Sequence, residues 1–233
     1  MYFFISDLHF GSEKMLEYRK EEFKTMDQMD DAMIEAWNSV VSDRDSVVIV
    51  GDFSDYGSYK TISILKRLKG RKHLIIGKND EFIKDSSIRN SGEFVTIGET
   101  LNFKDKNTGK WFYCSHYPML SWPGKDKGTI HVFGALHSFD IQDPDFYRSD
   151  DDRTNEEFTC RECERDVNPY GFTVGIKPDL IPSYFTIKSS FDVFADRTDY
   201  VPVSAAELCR KQRKKEYQKL SLKYLNLGGY DVK

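Results

Sequence analysis

Tyr2-Phe3-Phe4-Ile5-Ser6-Asp7-Leu8-His9 is the stretch whose reading decides the fold. Four consecutive apolar, β-favouring residues that break into a polar loop describe a strand buried on both faces, with functional side chains delivered at its carboxyl end. The same pattern recurs along the chain. Ser46-Val47-Val48-Ile49-Val50 runs into Gly51-Asp52, and His73-Leu74-Ile75-Ile76 runs into Gly77. Two more strands are expected at Trp111 to Ser115 and at Thr129 to Phe133, the second ending at Gly134.

Helical stretches lie between these strands. Thr25-Met26-Asp27-Gln28 reads as a capping box, after which Met29, Met33, Ala36, Trp37 and Val40 recur at helical spacing. The run after Tyr59, with Ile62, Leu65 and Leu68, is expected to close at Gly70 as a C-terminal cap. Ser204-Ala205-Ala206-Glu207 is a further capping box, predicting a charged helix over about 204–225. Alternating strands and helices point to an α/β layer structure in a single domain spanning 1–233. The least regular part, about 139–182, reads as an insertion; Asp140 to Asp166 within it carries eleven acidic residues against four Arg. It directly follows His137, which places it at the rim of any pocket there.

The polar residues at the strand ends form a chemical set. Asp7 and His9 follow the first strand, Asp52 the second, His116 the Trp111 strand and His137 the Thr129 strand. In open α/β sheets ligands gather beyond the carboxyl ends of the strands. Carboxylates mixed with imidazoles suit Mn, Fe or Zn, and the absence of thiolates from the set argues against a structural zinc cage.

Five ordered segments carry a resemblance: Ser6-Asp7-Leu8-His9, Val50-Gly51-Asp52-Phe53, Ile76-Gly77-Lys78-Asn79-Asp80, Ser115-His116-Tyr117-Pro118 and Phe133-Gly134-Ala135-Leu136-His137. They resemble the motifs D-x-H, G-D, G-N-H-D/E, H and G-x-H of the calcineurin-like metallophosphoesterases, in particular the compact bacterial and phage members. The resemblance covers Met1 to His137 and resumes near Phe191. It implies an αββα two-sheet sandwich and a divalent metal centre (Mn, Fe or Zn, at least one ion) in which a metal-bound water hydrolyses a phosphate ester, either a monoester or a diester. By motif position, Asp7, His9 and His137 would hold the first ion with Asp52 bridging, and His116 would serve the second.

The second ion's set departs from the family pattern. Lys78 stands where a ligating Asn is expected, Asn79 where the catalytic His is expected, and Ala135 where the last motif usually has its first His. The centre is therefore expected to be mononuclear or weakly dinuclear. In that reading the Lys78 ammonium and Asn79 stabilise charge on the phosphoryl oxygens, and His116 orients phosphate or holds a labile ion. Lys78 pointing to solvent is the plain alternative. At the level of function, the alternative is a catalytically impaired protein that uses the fold as a binding module.

Other features are less specific. Cys160-Arg161-Glu162-Cys163 has no second pair to complete a zinc site, and Cys114 and Cys209 complete the cysteines. So few thiols fit a reducing, cytoplasmic setting. Tyr117-Pro118-Met119-Leu120-Ser121-Trp122 offers aromatics either as a substrate wall beside His116 or as packing, and His73 and His131, inside strands, read as structural. A net charge of -4 over 233 residues gives no general basic footprint. The expected partner is a phosphate-ester substrate, with a nucleotide or a nucleic-acid end among the options. No apolar run approaches the roughly 20 residues that cross a bilayer, so no membrane span is expected.

Overall fold

The computed structural model describes residues 1–119, 121–134, 159–160, 165–166, 190–193 and 195–212. The buried strands fall where the apolar runs place them: β1 (Tyr2–Ile5), β2 (Ser46–Val50) and β3 (Arg71–Ile75). Each is parallel to the next, with Phe4 opposite Val48 and Val48 opposite His73. Strand β4 (Phe94–Gly98) extends this first sheet in parallel, and β11 (Val203–Ser204) closes its other edge antiparallel to β1. A second sheet holds β5 (Thr100–Lys104), β6 (Trp111–Ser115), β7 (Ile130–Phe133) and β10 (Ser190–Asp192), in the order β10-β7-β6-β5. A short separate ladder pairs β8 (Thr159–Cys160) with β9 (Arg165–Asp166).

Alternate residues of β1 explain why it reads as continuously apolar. Phe3 and Ile5 join a core with Met29, Met33 and Trp37 of α2 (Met26–Val40) and Leu65 of α3 (Ser58–Arg67). Phe4 faces the other way, into a core with Val48, Phe112, Val132 and Phe191, where the two sheets meet. The Phe4 and Phe112 rings lie 5.1 Å apart across that interface. The architecture is a two-sheet α/β sandwich, as the resemblance implies. Helix α1 (Glu13–Tyr18) adds Met15 to the helix-side core.

Local signals hold with small displacements. Thr25 caps α2 by accepting from the amide of Gln28 at 3.2 Å, while the Gln28 side chain accepts from Lys24 N rather than from the cap residue itself. Helix α3 ends before the glycine predicted to cap it: Leu68 is already extended, and Gly70, at φ +83°, makes the turn into β3 instead. A Cβ at Gly70 would stand 2.8 Å from Val41 Cγ1, so the close approach of the α2 end decides that position. The α2 end also clamps this turn, with Trp37 Nε1 donating to Lys69 O and Asn38 bonding Arg67 O and Lys69 N. Residues 205–212 are helical and Ser204 Oγ accepts from Glu207 N as the capping box predicts, but Ser204 itself belongs to β11. The remainder of that predicted helix, and most of the 139–182 insertion, lie outside the described residues.

Strands β4 and β5 and the short helix α4 (Ser86–Asn90) had no expectation attached to them. Both strands are sheet edges with part-exposed, mixed residues, so neither shows the continuous apolar run that marks an interior parallel strand.

Candidate metal centre

Past their last residues, β1 and β2 keep running side by side. The amides of Asp7, His9 and Phe10 donate to the carbonyls of Gly51, Asp52 and Phe53, each at 3.0 Å. This stacks the Asp7–His9 loop on Asp52. Asp7, His9 and Asp52 all have positive φ, at 56°, 51° and 53°. Such backbone is rare for residues with a Cβ and concentrates at functional sites, where the surrounding structure holds it.

Four sequence-predicted residues converge here. Asp7, Asp52 and His116 offer ligand atoms within 4.8 Å of one another. His9 Nε2 lies 3.6 Å from Asp52 Oδ2, and His116 Nε2 lies 3.7 Å from Asp52 Oδ1. Both imidazoles are oriented from behind. His116 Nδ1 is 2.9 Å from the Val50 carbonyl, an acceptor only, so Nδ1 carries the proton and Nε2 keeps its lone pair. His9 Nδ1 is 3.3 Å from the Asp55 carboxylate, which imposes the same tautomer. Burial works to raise the Asp55 pKa, but hydrogen bonds from His9 and Ser12 outweigh it and hold the group below its ordinary value. Two imidazoles turned with Nε2 towards the two oxygens of one carboxylate, with their other nitrogens anchored, is the arrangement of metal-ligating histidines.

The donor set fits a divalent ion. Asp7 and Asp52 are each 1% exposed, and two carboxylates this close in a dry site repel one another unless a cation lies between them. The space is reserved by glycine. A Cβ on Gly51 would stand 2.2 Å from His116 Nδ1, and one on Gly77 would stand 2.2 Å from Asp52 Oδ1. No larger residue at either position leaves the ligands where they are.

On the β3 side, Asn79 donates twice to Asp52, through its amide N to Oδ1 at 2.9 Å and through Nδ2 to Oδ2 at 2.8 Å. Lys78, beside it, is exposed. Of the two residues that replace the expected Asn and His, the second therefore touches the Asp52 carboxylate and the first faces solvent. His137 and Ala135 lie outside the described residues.

Sequence reasoning passed over several supports. Asp80 accepts from the amides of Asp52, Phe53 and Gly77 at 3.0, 2.8 and 2.7 Å, tying the β3 loop to the β2 loop. Burial pushes its pKa up to about 6 against the pull of those amides. Asp55 orients His9, and Asp30 of α2 accepts from Gly11 N and from Tyr56 Oη. Arg19 donates to Leu8 O, between Asp7 and His9 of the first loop. Of these, only Asp80 carried a signal, as the D/E position of the G-N-H-D/E pattern.

The aromatic segment after His116 divides. Trp122 is 5% exposed and donates Nε1 to Thr129 O at 2.8 Å, so it is packing. Tyr117 is 58% exposed, with its ring centroid 4.8 Å from that of His116. His131 is fully buried among Tyr113, Trp122 and Phe133, as its structural reading expects. His73 bonds Thr96 across the β3–β4 pair. Cys114 and Cys209 are both buried.

The sequence profile of the calcineurin-like phosphoesterases matches residues 2–200. The chain belongs to this family. Among curated proteins, this phosphoesterase is 33% identical to an uncharacterized protein, MJ1445, of Methanocaldococcus jannaschii over 119 residues, covering 49% of this chain and 68% of that one. It is 35% identical over 159 residues to the Gene 66 protein of Mycobacterium phage L5, covering 58% of this chain and 76% of the phage protein. Among solved structures, a protein of unknown function from Aquifex aeolicus, AQ665, superposes with a TM-score of 0.56 at 19% identity, over 90% of this chain and 98% of that one. That likeness concerns the fold. Membership of the phosphoesterase family accords with the buried Asp7, Asp52 and His116 group and with a divalent metal there. Among the described residues, no helix is long and apolar enough to cross a membrane.

Proposed function

We propose that this chain is a metal-dependent phosphoesterase whose tightly held ion sits on Asp7, His9, Asp52 and His137, with His116 facing it across Asp52. The observation that carries the reading is the pair of Nε2 atoms, on His9 and His116, turned to opposite oxygens of Asp52. A divalent ion in this family acidifies a water and polarises the phosphoryl oxygens of an ester. The protein's own groups do the rest. Asp55 and the Val50 carbonyl keep both imidazoles in the tautomer that leaves Nε2 basic. Asn79 holds Asp52 in place by two hydrogen bonds, and in this reading it also helps stabilise charge on the phosphoryl oxygens. Lys78, exposed next to it, supplies a mobile positive charge to the ester's anionic oxygens. His116 orients the phosphate or holds a second, labile ion.

A second reading has its own observation. The Asn79 backbone amide already donates to Asp52 Oδ1, the oxygen that faces His116, where a second ion would bind, which favours a centre that binds phosphate compounds without turning them over. Elemental analysis of the purified protein beside monoester and diester assays with added Mn separates the two. The enzyme reading expects about one ion per chain and hydrolysis abolished by Asp52→Asn. Metal binding without hydrolysis of either ester class across Mn, Fe and Zn favours the binding module.

A further inference from the structure

The strongest feature not used by this reading is the exposed ring beside a buried ligand. His116 is buried, yet the next residue, Tyr117, is 58% exposed, and the two rings meet at 67°. Tyr117 therefore stands on the solvent side of the centre.

The backbone that carries the ring is also held. Ser115 Oγ donates to Tyr117 O at 2.8 Å, Gly134 N donates to His116 O at 3.0 Å, and Pro118 follows. Met119 N donates to Nε2 of the fully buried His131 at 3.1 Å. Packing does not account for the ring's position, since the neighbouring Trp122 shows what a packed aromatic looks like in this segment. A large aromatic face, half in water and backed by a pinned loop, is preorganised for a flat partner. Lys78 is also exposed, on the loop whose next residue, Asn79, bonds Asp52.

We propose that Tyr117 is a stacking platform that makes the site prefer phosphate compounds bearing a planar base, nucleotides above all, over those with aliphatic groups. The inference rests on the phosphoesterase reading for the seat of the phosphate, not for turnover. A ring accepts any base, because every base has a π face, so the preference is for nucleotides as a class. Its expected size is about tenfold in affinity, the lower part of the range for a single base on an aromatic side chain.

The test compares calorimetric binding of an adenosine phosphonate, whose carbon–phosphorus bond resists hydrolysis, with that of methylphosphonate, on the manganese-loaded protein. The wild type and Tyr117→Phe are expected to bind the adenosine compound about tenfold more tightly. Tyr117→Ser should lose that preference with its methylphosphonate affinity and metal content unchanged. Equal affinities in the wild type, or a preference that survives Tyr117→Ser, overturn the proposal. So does loss of methylphosphonate binding in Tyr117→Ser, since the residue would then support the centre rather than a base. If no ester is hydrolysed while the preference and its loss are both seen, catalysis fails and the platform stands.

Discussion

The two sheets contribute to the centre in different ways. The first sheet sends three adjacent loops to it: β1 brings Asp7 and His9, β2 brings Asp52, and β3 brings Asn79 and Asp80. Those loops bond one another through Asp80, Asn79 and the paired backbones after β1 and β2. Among the described residues, the second sheet sends only His116, anchored to a first-sheet carbonyl, that of Val50. The first sheet thus builds a rigid anionic seat by itself, and the second closes it with an imidazole and an aromatic lip. His9 also depends on a replaceable side chain, Asp55, whereas the support of His116 is backbone that no substitution removes.

The largest effect should come from Asp52. Asp52→Asn removes an anionic ligand from the seat and should reduce bound metal to background in elemental analysis of dialysed protein. Metal retained at wild-type level would show that the second sheet holds the ion, contrary to this division.

The second sheet has its own vulnerability, in acid. Burial, helped by Lys125, pushes the His131 pKa down from 6.5 to about 3. The unfolded chain then binds a proton that the folded chain refuses, so stability is full above pH 6.5 and falls as pH drops towards 3. Between pH 7 and pH 4 this should cost on the order of 3 kcal/mol. Urea denaturation across that range should show a shallower loss for His131→Gln, and parallel curves would count against the imidazole as the cause.

Gly77→Ala tests the seat sterically. Its Cβ would meet Asp52 Oδ1 at 2.2 Å, so Asp52 must move. A loss of about 2 kcal/mol in urea denaturation, together with weakened metal binding, is expected. Unchanged metal affinity would mean that Asp52 shifts without consequence.

Asp55→Ala should have the smallest effect, about a tenfold weakening of metal affinity, because His9 keeps its place but loses its tautomer and orientation. Cobalt substitution offers a direct readout, through a changed visible spectrum with the fold intact. An unchanged spectrum would remove Asp55 from the site.

Legibility followed the same division. Strands β1, β2 and β6 stand at the bounds their apolar runs mark, because a strand buried on both faces must be apolar at every position. The gathering of Asp7, Asp52 and His116 at their ends was legible too, since residue type and order carry that information. Asp80 apart, the supports were not. Asp30 and Arg19 are ordinary charged residues in sequence, and their roles come from distant backbone groups that only folding brings near. The edge strands β4 and β5 were invisible for a related reason, as their half-exposed faces tolerate mixed residues.

What the sequence determined by itself was the strand–helix alternation, the family's motif order and the polar residues at the strand ends, all properties of neighbours along the chain. Only the tertiary structure decided which replacement residue does what. Lys78 and Asn79 are adjacent, but the turn after β3 points Asn79 at Asp52 and leaves Lys78 in solvent. It likewise separated Trp122, buried against Thr129, from Tyr117 at the lip. Direction at a turn depends on what packs against it, and those contacts come from segments far away in the chain.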